Sequence, residues 1–229
     1  MHALKFSLSA ALVVFSVSSM AVPLHHSFSS VTPSDVAAGL RLLSTRTDQI
    51  EQELVVVTTS SSGATVSTKQ YTVVNLLNTI IDDMRSQTDA FKATSPFSDT
   101  QDEVMAQWTT LGGEVQESMR TLLGKHSIFA QFGVTAPIAA VLRSYEEATD
   151  DFVAALVELV PSNADTISQG GSALSTVVGT VITQYQEVCI PSPLYPILMP
   201  ICTSAFSSQT QSQRVFKTSR RLKSQSKSC

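Results

Sequence analysis

Apolar residues recur along this chain at steps of three and four. Val36, Leu40, Leu43, Thr47, Ile50, Leu54 and Val57 share one face of a helix with 3.6 residues per turn. Thr32-Pro33-Ser34-Asp35 ahead of them supplies capping side chains and an early proline. A Ser/Thr linker containing Gly63 is predicted over 58–68. A second helix, over about 69–94, carries Val74, Leu77, Ile81, Met84, Thr88 and Phe91. Ser95-Pro96 stops it, because the residue before a proline is pushed out of helical geometry. Ser98 and Gln101 then read as a capping box, with Asp99, Asp102 and Glu103 favourable at a helix N-terminus.

The third helix carries Val104, Trp108, Leu111, Val115, Met119 and Leu122 and runs to about Ser127. Gly112 and Gly113 in its middle lower helix propensity and predict the close approach of a neighbouring helix. After a connector around Gly133, Thr135-Ala136-Pro137 opens a fourth helix with Ile138, Val141, Leu142, Tyr145, Phe152, Leu156 and Leu159, ended by Pro161. Ser162, Asn163 and Asp165 can cap a fifth, with Ile167, Leu174, Val178, Ile182 and Tyr185; its glycines 170, 171 and 179 make it the weakest. No turn signal separates alternating runs. The expected fold is all-α: an antiparallel bundle of about five amphipathic helices over residues 35–187.

The two ends do not fit this pattern. Lys5 precedes an apolar run from Phe6 to Val17, and Ser19-Met20-Ala21 offers small residues at a cleavage site. Residues 1–21 therefore read as a secretory signal peptide; the run is too short to span a bilayer. Residues 188–229 read as a tail without a core, rich in proline to Pro200, then polar and basic, and expected to be disordered. Cys189 and Cys202 are close in sequence in an exported chain, so a disulfide between them is chemically reasonable. Cys229 is left over. Two explanations of the break stay open. One is a genuine appendage, tied once by that disulfide and able to touch anionic groups. The other is a stretch translated beyond Glu187 from an intron or a shifted frame.

Composition sharpens this picture. Hydrophobic residues make up 43% of the chain and charged residues 15%, so a packed core is expected. The net charge of −4 hides an asymmetry: residues 22–188 sum to −11, and residues 189–229 hold six basic and no acidic side chains. An acidic domain repels phosphate backbones, which excludes nucleic acid as a natural partner. No later segment is long and apolar enough to cross a membrane.

Catalytic chemistry finds no foothold. HExxH, CxxC, GxSxG and phosphate-loop patterns are missing. His126 lacks a ligand partner at i+4 and reads as a surface histidine near a helix end. Asp82-Asp83, Glu146-Glu147 and Asp150-Asp151 read as solvated faces. No metal or cofactor is expected. What stands out is bulk on the inner faces: Met84, Phe91, Trp108, Met119, Phe129, Phe132, Tyr145, Phe152 and Tyr185. They are a packed core, or they line an apolar cavity of the kind helical bundles offer to ligands; spacing does not separate the two.

Ser95-Pro96-Phe97-Ser98, Leu111, Leu122-Leu123-Gly124-Lys125-His126-Ser127-Ile128-Phe129, Phe132-Gly133-Val134, Val141-Leu142, Ala155-Leu156-Val157 and Val160-Pro161 carry a resemblance. The chain from about Asp35 to Gln186 resembles the fungal hydrophobic surface-binding protein A family, which includes cell-wall galactomannoproteins. The resemblance implies a secreted or wall-associated α-helical protein without enzymatic activity. Some members adsorb to hydrophobic surfaces, and the galactomannoprotein branch holds fatty acids in an apolar channel. It therefore implies a fatty acid, another lipid or a hydrophobic surface as partner, contacted by Met84, Phe91, Trp108, Met119, Phe129, Tyr145, Phe152 and Tyr185. The rival expectation is a structural or effector-like extracellular protein with a packed core and no ligand. The chain has neither the anchor signal nor the long Ser/Thr stalk of wall-anchored members.

Overall fold

The computed structural model describes residues 30–99 and 101–203. The signal segment, the six basic residues after Thr203 and Cys229 lie outside the described residues. Five helices follow in order: α1 Pro33–Val55, α2 Gly63–Lys92, α3 Asp102–Gln131, α4 Thr135–Leu159 and α5 Ala164–Tyr185. Two short strands, β1 Val188–Ile190 and β2 Ile201–Thr203, close the described chain.

Local chemistry sets the helix ends. At α1, Thr32 Oγ1 accepts from the Asp35 backbone N–H, and the Thr32 N–H donates to the Asp35 carboxylate at 2.8 Å, a reciprocal capping box. The hydrogen bonds from Thr32 pull the Asp35 carboxyl below its ordinary value. Ser62 caps α2 by accepting from the Thr65 N–H, so this helix begins at Gly63 rather than near Lys69. Val66 is fully buried, and its burial overrides the weak helix propensity of the Ser/Thr segment. The capping box expected from Ser98 and Gln101 does not form: Gln101 Nε2 donates back to the Asp99 carbonyl, and α3 starts without a side-chain cap. At its other end α3 runs on to Gln131 because Ile128, Phe129 and Ala130 are buried. It stops where Gly133 takes φ 68° and its N–H and that of Val134 bond back to Ala130 and Phe129. A turn of 3₁₀ helix, Pro161–Asn163, replaces the side-chain cap expected for α5.

The helices form a closed ring in the order α1, α2, α4, α5, α3 and back to α1. Each helix runs opposite to the one before it in sequence, yet three of the five side-by-side pairs are parallel. In α1 and α3, Ser118 Oγ donates to the Thr47 carbonyl and Thr121 Oγ1 to Glu51, so the residue numbers rise together. Met84 and Phe91 of α2 meet Thr149 and Phe152 of α4 in the same sense. In α3 and α5, Trp108 lies at Gly170, and the Leu122 carbonyl accepts from Tyr185. Only α1 with α2 and α4 with α5 are antiparallel hairpins, the first latched by Arg46–Asp83 and Lys69–Glu53. With neighbouring axes about 9–10 Å apart, a ring of five puts each axis about 8 Å from the centre, against about 7 Å for four. Backbone cannot fill that centre, so large side chains must.

Residues 188–203 have no core of their own, as expected, but they are built. β1 and β2 pair antiparallel with Cys189 opposite Cys202, and the two cysteines are disulfide-bonded. Gln131 grips the loop between them twice: its Nε2 donates to the Ser192 carbonyl at 2.9 Å, and its Oε1 accepts from the Ser192 N–H at 2.8 Å. The Tyr195 ring stands edge-on to Phe132 with ring centroids 6.4 Å apart. The hairpin is thus fastened to the C-terminal end of α3.

Candidate functional site

All eight residues expected to line an apolar interior are buried in one continuous hydrophobic cluster: Met84, Phe91, Trp108, Met119, Phe129, Tyr145, Phe152 and Tyr185. They come from α2, α3, α4 and α5. Phe91 and Phe152 meet as tilted rings with centroids 5.4 Å apart across the α2–α4 seam. Phe129 and Tyr185 do so at 6.2 Å between α3 and α5. Phe132 lies at the ring's edge, half-buried, with Gly63 against its ring.

Polar groups inside this cluster are few. Tyr185 donates its hydroxyl to the Leu122 carbonyl at 2.7 Å, and burial pushes that phenol far above its ordinary range. Tyr145 is shifted upward for the same reason. Both rings are neutral at every physiological pH. Thr149 lies between two partners, with its Oγ1 3.8 Å from the Met84 sulfur and a side-chain hydrogen bond to Tyr145. Ser44 Oγ on α1 and Thr88 Oγ1 on α2 are buried and make no hydrogen bond among the described residues. A hydroxyl in an apolar interior has a strong tendency to find a partner, and these two have capacity to spare.

Two glycines let α5 pack closely on its neighbours α3 and α4. Gly170 sits against the Trp108 indole, and Gly171 against Val153; a Cβ on Gly171 would stand 2.6 Å from Val153 Cγ1. These glycines therefore bring helices close together, the role expected for Gly112 and Gly113. That second pair instead has open space around it. On the outside of the α4–α5 seam lies an open groove of about 650 Å³, with Val153, Ala154, Val157 and Gly171 among its lining. Ser175 Oγ donates to Asp150 at its rim, at 2.8 Å.

His126 is not a surface histidine. It is buried at the α3–α5 seam, its ring edge-on to Tyr185 with centroids 5.1 Å apart, and its Nε2 is 3.9 Å from Cys189 Sγ. Burial holds its pKa below the ordinary value, against a smaller opposing pull from Glu187. His126, Glu187, Cys189 and Cys202 place their donor atoms within 4.8 Å of one another. Both sulfurs are spent in the disulfide, however, and it is the thiolate that binds metal. No spacing signal in the sequence joins His126 to residues sixty positions away. The parallel α3–α5 contact brings them together.

No helix among the described residues is long and apolar enough to cross a membrane. Comparison with known proteins adds the following. The family model described as hydrophobic surface binding protein A matches residues 34–158. No curated protein matches the chain. Among solved structures, the chain is similar to Afmp4p in complex with palmitic acid, with a TM-score of 0.61 at 17% identity over 68% of this chain and 100% of that one. It is also similar to ligand binding domain 2 of the Penicillium marneffei MP1 protein complexed with multiple arachidonic acids, with a TM-score of 0.60 at 14% identity over 68% of this chain and 97% of that one. At such identities the likeness is one of fold.

Proposed function

The chain belongs to the hydrophobic surface binding protein A family, and from that premise we propose that it is a secreted, non-catalytic protein that holds a long-chain fatty acid or related lipid within its helical ring. The observation that carries this reading is the ring itself. Five helices leave a centre that only side chains occupy, and here those side chains are aromatic, Met and aliphatic, several of them adaptable. An acyl chain can take the place of such contacts at little cost, because one apolar surface replaces another. Two solved structures of the same fold are complexes with palmitic acid and with arachidonic acids, which supports the reading. Met84, Phe91, Trp108, Met119, Phe129, Tyr145, Phe152 and Tyr185 contact the acyl chain, and Ser44 and Thr88 supply hydroxyls for its carboxyl group. Secretion accords with the N-terminal signal pattern and with a Cys189–Cys202 disulfide, which persists in oxidising compartments.

The test is lipid binding by the secreted protein. Native mass spectrometry should find fatty acid co-purified, and a fluorescent long-chain fatty acid should bind at micromolar concentration and be displaced by palmitic acid. Ser44→Ala with Thr88→Val should weaken binding while leaving stability unchanged or raised, since neither hydroxyl has a partner to lose. If no lipid co-purifies and the fluorescent probe fails to bind, the interior is simply packed and the structural reading takes over.

A further inference from the structure

Large apolar side chains on the outside of the described structure are not scattered. Eleven are exposed, and seven of them fall within residues 188–203: Val188, Ile190, Leu194, Ile197, Leu198, Met199 and Ile201, each 52% to 86% exposed. The strand register explains part of this. The cysteine face of the hairpin turns toward His126, which leaves Val188, Ile190 and Ile201 on the other face. Leu194, Ile197, Leu198 and Met199 occupy the loop between the strands. No residue from 188 to 203 is charged. A soluble domain rarely presents so concentrated a patch unless something covers it. The family match ends at residue 158, so the hairpin lies beyond the matched part of the chain.

We propose that this hairpin docks the protein onto the surface of an anionic lipid bilayer, its loop seated at the boundary between headgroups and acyl chains. Three features point to that partner. The loop is held in shape by the Cys189–Cys202 bridge, by the Gln131 clamp on Ser192 and by four prolines, so little freedom is lost on insertion. The sequence that follows, from Arg214 to Lys227, holds six basic and no acidic side chains, which favours an anionic surface. Residues 22–188 sum to −11, so the same surface repels the helical body and turns the hairpin end toward it. A second copy fits less well, since an identical uncharged hairpin offers nothing to complement the six basic side chains that follow in sequence. An apolar tip followed in sequence by a cluster of basic residues is the pairing of signals that gives stable but reversible membrane contact.

Sedimentation with vesicles tests this in the full secreted chain. Vesicles of phosphatidylcholine with phosphatidylserine should carry the protein down better than phosphatidylcholine alone, and added salt should weaken the binding. The triple variant Ile197→Gln, Leu198→Gln, Met199→Gln should bind the anionic vesicles about tenfold less or weaker still. Its melting temperature and fatty-acid binding should stay those of the parent, because all three side chains point away from the ring. Equal sedimentation of parent and variant would overturn the proposal. So would no preference for anionic over neutral vesicles, or a dimer in solution that the variant converts to monomer.

Discussion

Alanine at Gly112 and alanine at Gly171 are the same chemical change in the middle of a helix, and the structure gives them opposite signs. In both helices alanine gains about 1 kcal/mol in propensity over glycine. At Gly112 nothing lies within 4 Å of the added Cβ, so that gain stands alone. The expected outcome is stabilisation of about 0.5–1 kcal/mol, or roughly 1–4 °C in melting temperature for a domain of this size. At Gly171 the added carbon meets Val153 Cγ1 at 2.6 Å and Cγ2 at 3.1 Å. Valine is stiff at χ1 and has no long stem to swing aside. Relief requires α5 to move off α4, at the roughly 1–3 kcal/mol typical of overpacking. Subtracting the propensity gain leaves a net loss of up to about 2 kcal/mol. Urea unfolding followed by circular dichroism measures both variants. If Gly171→Ala is stabilised as much as Gly112→Ala, α4 and α5 are not in close contact there, and the packing role given to Gly171 is wrong.

Other consequences are as direct. Tyr185→Phe removes the hydroxyl bond to the Leu122 carbonyl and should cost about 1 kcal/mol in the same unfolding assay, the low end because that carbonyl keeps its place in the helix. His126 has a folded pKa below its unfolded one, so the unfolded chain takes up the proton first as pH falls. Its stabilising contribution is complete above about 6.5 and is lost as pH drops from there through the folded value; the melting temperature of the parent should fall more between about pH 7.5 and 5.5 than that of His126→Gln. Replacing Cys189 and Cys202 with serine opens a loop whose closure contributes about 3 kcal/mol in the chain-entropy picture. Limited proteolysis should then cut within 191–200, where the oxidised protein resists.

The helices themselves were legible because burial and period coincide. Val36, Leu40, Leu43, Ile50 and Leu54 are a stripe in the sequence and a buried face in the structure. Ile138, Leu142, Tyr145, Phe152 and Leu159 repeat the lesson in α4. Helix limits were less legible where burial outweighed local preference, as at Val66, whose Ser/Thr neighbours suggest a linker. The identity of the interior residues followed from the same stripes; their arrangement into a ring did not, since period says which face is buried and not which helix it meets. Glycines gave the least reliable signal: Gly112 and Gly171 look alike in sequence and differ only in what stands opposite. The site around His126 depends on a parallel contact between α3 and α5 and on a disulfide beyond both, neither of which a local pattern encodes.

The ring order also has a history written into it. The α1–α2 and α4–α5 hairpins are local and can close early, because short loops lose little entropy on closure. Helix α3 forms a hairpin with neither of its neighbours in sequence. Its partners are α1 and α5, reached across 71 positions for Ser118 with Thr47 and 63 for Tyr185 with Leu122. Contacts that distant in sequence form late. The ring order therefore predicts two early hairpin clasps, with the α2–α4 seam and the two seams of α3 closing after them, an order that the effects of Ser118→Ala and Tyr185→Phe on folding and unfolding rates would check.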